Sequence, residues 1–134
     1  MKIFNKSEGW SSKVNFVDDN NVCLGYDTDQ SCCEHADWFI ADQPTEKIVS
    51  RDGDEPNELP GYNFDRAYFK RVDYIEGGNE QYKYNELDEG GMVIFRIVNG
   101  TEEKFIHLFN CHNGYYGHGF DFKVGDEVIQ SGGL

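Results

Sequence analysis

The sequence contains no apolar run approaching the ~20 residues that span a bilayer. Residues 1–9 lack the apolar core of a secretion signal. A phosphate-cradling glycine loop, a P-loop lysine and a G-x-S-x-G nucleophile elbow are also absent. The first two absences predict a cytoplasmic protein without membrane contact. The missing motifs favour a non-enzymatic protein without a cofactor over the alternative of a metal-binding protein or thiol enzyme.

Residues that favour helices are scarce, whereas aromatic residues are abundant. Only two Met stand against ten Phe, eight Tyr and two Trp, and Ala and Leu are few. This composition favours strands. We therefore expect an α+β, mainly β fold, with an antiparallel sheet of five or more strands, an N-terminal hairpin, a C-terminal meander and little helix. A length of 134 residues indicates a single domain, with its core at 13–124 and a loose tail at 125–134.

Alternation of apolar and polar residues locates the strands. Residues 13–17 and 22–26 flank the turn-forming residues of 18–21, which predicts a hairpin after a lead-in of residues 1–12. The stretch 104–112 carries apolar residues on both of its faces, which is typical of a central strand. With similar patterns at 92–98 and 119–124, it predicts a three-stranded antiparallel meander.

The net charge of −13 is unevenly distributed along the chain. Between Asp18 and Glu58, twelve acidic residues stand against Lys47 and Arg51, a balance of −10. Such a field repels nucleic-acid phosphates and favours basic partners. We expect no direct nucleic-acid binding. The charge predicts either simple solubility or a binding module that engages a host or phage protein with a basic surface.

Cysteine and histidine residues offer a second reading of the chain. Cys32, His35, Cys111 and His118 are the candidate metal ligands, since a structural zinc takes four nitrogen or sulfur ligands. Paired CxxC or CxxH spacings are missing, and buried reduced cysteines that pack as small apolar residues explain the same thiols. A nucleophilic Cys32 or Cys111 is the thiol-enzyme alternative, although nearby acids oppose thiolate formation.

Two groups of residues are candidates for binding a partner. Tyr115 and Tyr116 lie in a glycine-flanked turn, where they either anchor a partner or close over the core. Asp27, Asp29 and Glu34 are the acidic candidates from the most negative part of the chain.

The order of several short motifs carries a family resemblance. Gln-Ser-Cys-Cys-Glu at 30–34 follows the predicted hairpin, an aromatic and basic strand occupies 67–74, and Asn-Gly-Tyr-Tyr at 113–116 precedes Phe-Asp-Phe at 120–122. Over about residues 13–124 the chain resembles a family of small acidic proteins of unknown function from bacteriophages and bacteria. That family has no assigned activity, so the resemblance implies a phage or prophage setting. His35, His112 and His118 lie outside the shared pattern.

Overall fold

The computed structural model describes residues 1–8, 11–29, 34–48, 57–72, 89–112 and 118–134. Regular structure within these ranges consists of β-strands without helix, so none of these residues belongs to a helix that could cross a membrane. The strands are β1 (Lys2–Glu8), β2 (Ser11–Val17), β3 (Val22–Asp27), β4 (Glu34–Ala41), β5 (Asn63–Phe64), β6 (Lys70–Val72), β7 (Glu89–Asn99), β8 (Glu102–His112), β9 (Gly119–Val124) and β10 (Glu127–Gly133).

These strands form two antiparallel sheets. The first sheet has the order β1-β2-β3-β9-β10, and the second has the order β4-β8-β7-β5, with β6 also paired to β7. The expected antiparallel sheet of five or more strands is therefore confirmed, and the described part of the chain is all-β.

The first sheet begins with the predicted hairpin, which is confirmed as β2 and β3. The expected lead-in at 1–12 is wrong for most of its length, because β1 pairs with β2 along seven residues. Ile3 is buried while Phe4 is exposed. The core therefore includes residues before position 13. Backbone pairing places this stretch in the sheet, although its side chains show only a weak alternation.

The predicted strands near the C-terminal half are confirmed, but one of their pairings is wrong. β7 and β8 form a hairpin around Gly100 and Thr101, and Gly100 has the left-handed φ of 60° that such a two-residue turn requires. β9 does not continue this hairpin into a meander. It lies in the first sheet between β3 and β10, so the chain crosses from one sheet to the other.

Residues after 124 are ordered into the first sheet, contrary to the expected loose tail. Gly125 and Asp126 form a two-residue turn, with Gly125 at a φ of 60°, and β10 then pairs with β9. Leu134 is buried, and its backbone exchanges two hydrogen bonds with His118. Backbone pairing, rather than buried side chains on β10, accounts for the difference.

Within the described part of the chain, two apolar clusters stabilise the fold. The main core fills the space between the sheets, where Phe16 meets Trp38 at 5.0 Å between ring centroids and Phe95 meets Phe122 at 4.9 Å. A smaller cluster, called here the outer core, lies on the other face of the second sheet. Its buried members are Phe39, Ile48, Met92, Ile94, Phe105 and Phe109.

A buried carboxylate joins the two sheets at the β2–β3 turn. Asp18 is 6% exposed, and its Oδ1 accepts hydrogen bonds from the backbone N–H groups of Asn20 and Val22, each at 2.9 Å. Its Oδ2 accepts one from the N–H of Phe64 in β5, also at 2.9 Å. One side chain therefore shapes the hairpin turn and anchors it to the second sheet.

A buried hydroxyl provides another link between the sheets. Tyr26 in β3 is fully buried and donates a hydrogen bond of 2.8 Å to the carbonyl of Phe109 in β8. We expect Tyr26→Phe to lower the free energy of unfolding by about 1–2 kcal/mol, because this carbonyl loses a buried donor while the ring packing stays. Urea melts check this. Tyr62→Phe is the control and should cost less, because the hydroxyl of Tyr62 bonds to the exposed Glu102.

Candidate functional site

Three of the residues singled out from the sequence lie at one end of the first sheet. Asp27 ends β3, Asp29 follows it, and His118 directly precedes β9. Because β3 and β9 are antiparallel neighbours, the end of one strand meets the start of the other. The Nδ1 atom of His118 lies 3.0 Å from the carbonyl oxygen of Asp27 and 3.6 Å from its carboxylate Oδ1. The histidine side chain is 4% exposed, whereas that of Asp27 is 45% exposed.

A cleft of about 430 Å³, called here the polar cleft, opens beside these residues. The described residues of its lining contribute three carboxylates and one ammonium group, so this lining carries negative charge. Hydrogen-bond acceptors and negative charge suit a ligand that carries cationic donors. Its lining residues are Ser11, Ser12, Lys13, Gly25, Asp27, Asp29, Gly119, Phe120 and Asp121.

Local hydrogen bonds hold the acidic wall of the polar cleft. The carboxylate of Asp29 accepts from the backbone N–H of Ser12, and the Oδ1 of Asp27 accepts from the N–H of Asp29 at 2.9 Å. The hydroxyl of Thr28 donates to that of Ser12 at 2.9 Å. One such bond uses only part of the accepting capacity of a carboxylate. The wall is therefore held in place by the same acids that present oxygen atoms to the cleft.

The floor of the polar cleft depends on a residue without a side chain. A Cβ atom placed on Gly25 would lie 2.6 Å from the Oδ1 of Asp121 and 3.1 Å from the Cε of Lys13. Its absence lets the Asp121 carboxylate lie over the β3 backbone, while the other carboxylate oxygen lies 3.3 Å from the Nζ of Lys123. Sequence reasoning missed Gly25 and Asp121. A glycine inside an alternating strand is the signal that could have found them, because it often marks close approach to the backbone.

Cys23 lies near this floor on β3. Burial, and then the negative charge of Asp121, raise the pKa of its thiol above the ordinary value. A raised pKa favours the protonated thiol, which is a poor nucleophile. Cys23 therefore has the properties of a packing residue.

The predicted metal ligands are only partly described. Cys32 lies outside the described residues, and only the backbones of His35 and Cys111 are described, which the β4–β8 register places opposite each other. His118 lies beside Asp27 as given above. Among the described residues no group of three or more His, Cys, Asp or Glu is placed to hold a metal ion. The proposed ligand set stays a prediction.

The remaining binding candidates also stay predictions. Tyr115 and Tyr116 lie outside the described residues, shortly before His118 in the chain. Glu34 begins β4, and its side chain is not described. Of the five acidic and aromatic candidates, the structure places Asp27 and Asp29 in one cleft.

Comparisons of the chain with protein-family models, curated protein sequences and solved structures find no match.

Proposed function

We propose that the protein is a non-enzymatic binding module of phage or prophage origin, which holds a basic segment of a host or phage protein at the polar cleft. The observation that supports this most directly is the grouping of Asp27, Asp29 and Asp121 around one opening. A lysine or arginine side chain of the partner would supply the cationic donors that these carboxylates accept.

The charge of the whole chain supports the same class of partner. At −13, the protein attracts basic surfaces and repels acidic ones over distances comparable to the Debye length of about 8 Å at physiological salt. Lys13, within the polar cleft, adds a positive group that would disfavour a uniformly basic ligand at one position. We therefore expect the cleft to discriminate among basic ligands by the arrangement of their positive charges. The negative field of the whole protein increases the association rate.

Binding can be tested with a pair of double variants that change the net charge equally. Asp27→Asn with Asp121→Asn removes two charges from the polar cleft. Asp126→Asn with Glu127→Gln removes two exposed charges around the β9–β10 turn, outside the cleft lining. Partners are first captured from host lysate at low salt, and affinities are then measured by calorimetry. We expect the cleft variant to weaken binding at least tenfold, about 1.4 kcal/mol, and the control to weaken it much less.

Two outcomes would contradict the proposal. Recovery of no salt-sensitive partner would remove the binding function itself. Equal weakening by the two double variants would show that the general field, rather than the polar cleft, attracts the partner.

A further inference from the structure

A buried histidine accepts a hydrogen bond from the segment that crosses the outer core. Residues 42–48, called here the strap, follow β4 and contribute Ile48 to the outer core. The backbone N–H of Thr45 donates to the Nε2 of His107 at 3.1 Å. His107 is fully buried and stacks on Phe39 with 4.3 Å between ring centroids. The strap is thus bound to the second sheet through an imidazole ring that water does not reach.

Hydrogen bonding selects the neutral form of this ring. The Nε2 of His107 accepts from Thr45, and its Nδ1 lies 3.1 Å from the carbonyl of Phe105, to which it can only donate. A proton added at Nε2 would point at the N–H of Thr45, so two donors would face each other. The same proton would also place a charge inside an apolar cluster.

We propose that residues 42–48 form an acid-releasable strap, which the protonation of His107 expels from the second sheet to uncover the outer core. Release separates Thr45 from His107 and admits water to the ring, so the added charge becomes solvated. This inference does not depend on the proposed function of the polar cleft.

Charged side chains near the strap are not among the causes that shift the pKa of His107. The described charged side chains on the neighbouring elements are Asp37 in β4, Asp42, Glu46 and Lys47 in the strap, Lys70 and Arg71 in β6 and Arg96 in β7. Glu102, Glu103 and Lys104 lie on the same strand as the histidine. Burial is the main cause that lowers the pKa of His107 to about 4, and the carbonyls of Phe105 and Phe39 partly oppose it.

Besides the hydrogen bond to His107 and the packing of Ile48 in the outer core, the described attachments of the strap include two ion pairs of exposed acids, which suit a local opening. Glu46 lies 3.3 Å from the Nζ of Lys70, and both side chains are largely exposed, so this ion pair adds little stability. Asp42 bonds to Lys104 at 2.8 Å, which lowers the pKa of Asp42. This bond therefore persists as the pH falls through the usual range of a carboxyl. The strap would pivot on Asp42 while its middle lifts.

Amide hydrogen exchange followed by NMR tests the release. The pKa of His107 is 6.5 when the strap is open and about 4 when it is closed. The equilibrium constant for opening should therefore increase about tenfold for each unit by which the pH falls between these values. The protection of the Thr45 amide, corrected for intrinsic exchange, should fall accordingly. The amide of Leu24, in the middle of β3, should remain better protected than that of Thr45 at every pH, because only global unfolding exposes it.

Two neutral replacements serve as the comparison, so that the failure of one to fold does not leave the idea untested. In His107→Gln and in His107→Leu, opening of the strap should become independent of pH in this range. Equal protection of Thr45 and Leu24 in the wild type would overturn the proposal, because Thr45 would then exchange only through global unfolding. Constant protection of the Thr45 amide down to pH 4 would also overturn it. So would a variant in which the protection of Thr45 depends on pH as steeply as in the wild type.

Discussion

Replacing Asp18 by alanine should lower the free energy of unfolding by about 3–6 kcal/mol. The buried carboxylate accepts hydrogen bonds from three backbone N–H groups, and those of Val22 and Phe64 are themselves buried. Net contributions of about 1.5–3 kcal/mol for each buried bond to a charged group give this range. The loss acts at the β2–β3 turn and at the contact with β5 simultaneously. Urea melts followed by tryptophan fluorescence measure it.

Two further variants distinguish this explanation from a general effect of charge. Asp19→Ala removes the neighbouring exposed acid and should change stability by no more than about 0.5 kcal/mol. Asp18→Asn should lie between wild type and Asp18→Ala, because the amide keeps an accepting oxygen but presents its N–H₂ group to a backbone donor. If Asp18→Ala were as stable as Asp19→Ala, the carboxylate would not be the link between the sheets.

Acidification should destabilise the protein by up to about 3 kcal/mol between pH 6.5 and pH 4 through His107 alone. The pKa of His107 is about 4 in the folded state and 6.5 in the unfolded state. Between these values the unfolded chain binds more protons, so stability increases with pH across this window and is lost as the pH falls. Above pH 6.5 the ring is neutral in both states, and its contribution no longer changes.

The measurement is a comparison between wild type and His107→Gln at several pH values by urea unfolding. Carboxyl groups that take up protons near pH 4 do so in both proteins, so their effect largely cancels in the difference. The destabilisation of wild type relative to the variant should grow as the pH falls. Parallel curves for the two proteins would contradict the assignment to His107.

Side-chain alternation made part of the fold predictable. In β2, Val14 and Phe16 face the main core while Asn15 between them is less buried, a period of two that the sequence displays directly. β8 was predicted as a central strand because its two faces are both apolar, and it lies between β4 and β7. Such strands carry their own signal, since burial determines the residue type at each position.

Strands held chiefly by backbone pairing were missed. β10 exposes both Val128 and Ile129 and has a bulge between Val128 and Gln130, so its side chains show no clear alternation. The available signal was the dipeptide at 125–126 between two extended segments, a frequent two-residue hairpin turn. The partner of β9 was not predictable in this way, because the alternation of Phe120 and Phe122 identifies a buried face but does not identify the neighbouring strand.

The candidate site was predictable in residue type but not in arrangement. Asp27 and Asp29 stood out because they lie in the most acidic part of the chain, and both line the polar cleft. Asp121 completes the cleft from a strand far away in the sequence, and it approaches Asp27 only because β9 crosses into the first sheet. Long-range pairing of this kind leaves no local periodicity.

The pairing of β3 with β9 also determines when the first sheet can be completed during synthesis. Tyr26 pairs with Phe120, so the hairpin of β2 and β3 leaves the ribosome long before its second neighbour exists. Until then one edge of β3 lacks the partner that it has in the folded protein, and unpaired strand edges are prone to wrong pairing. Closure across so much intervening chain is also slow. The nascent chain therefore passes through a period in which that edge of β3 is open to wrong pairing.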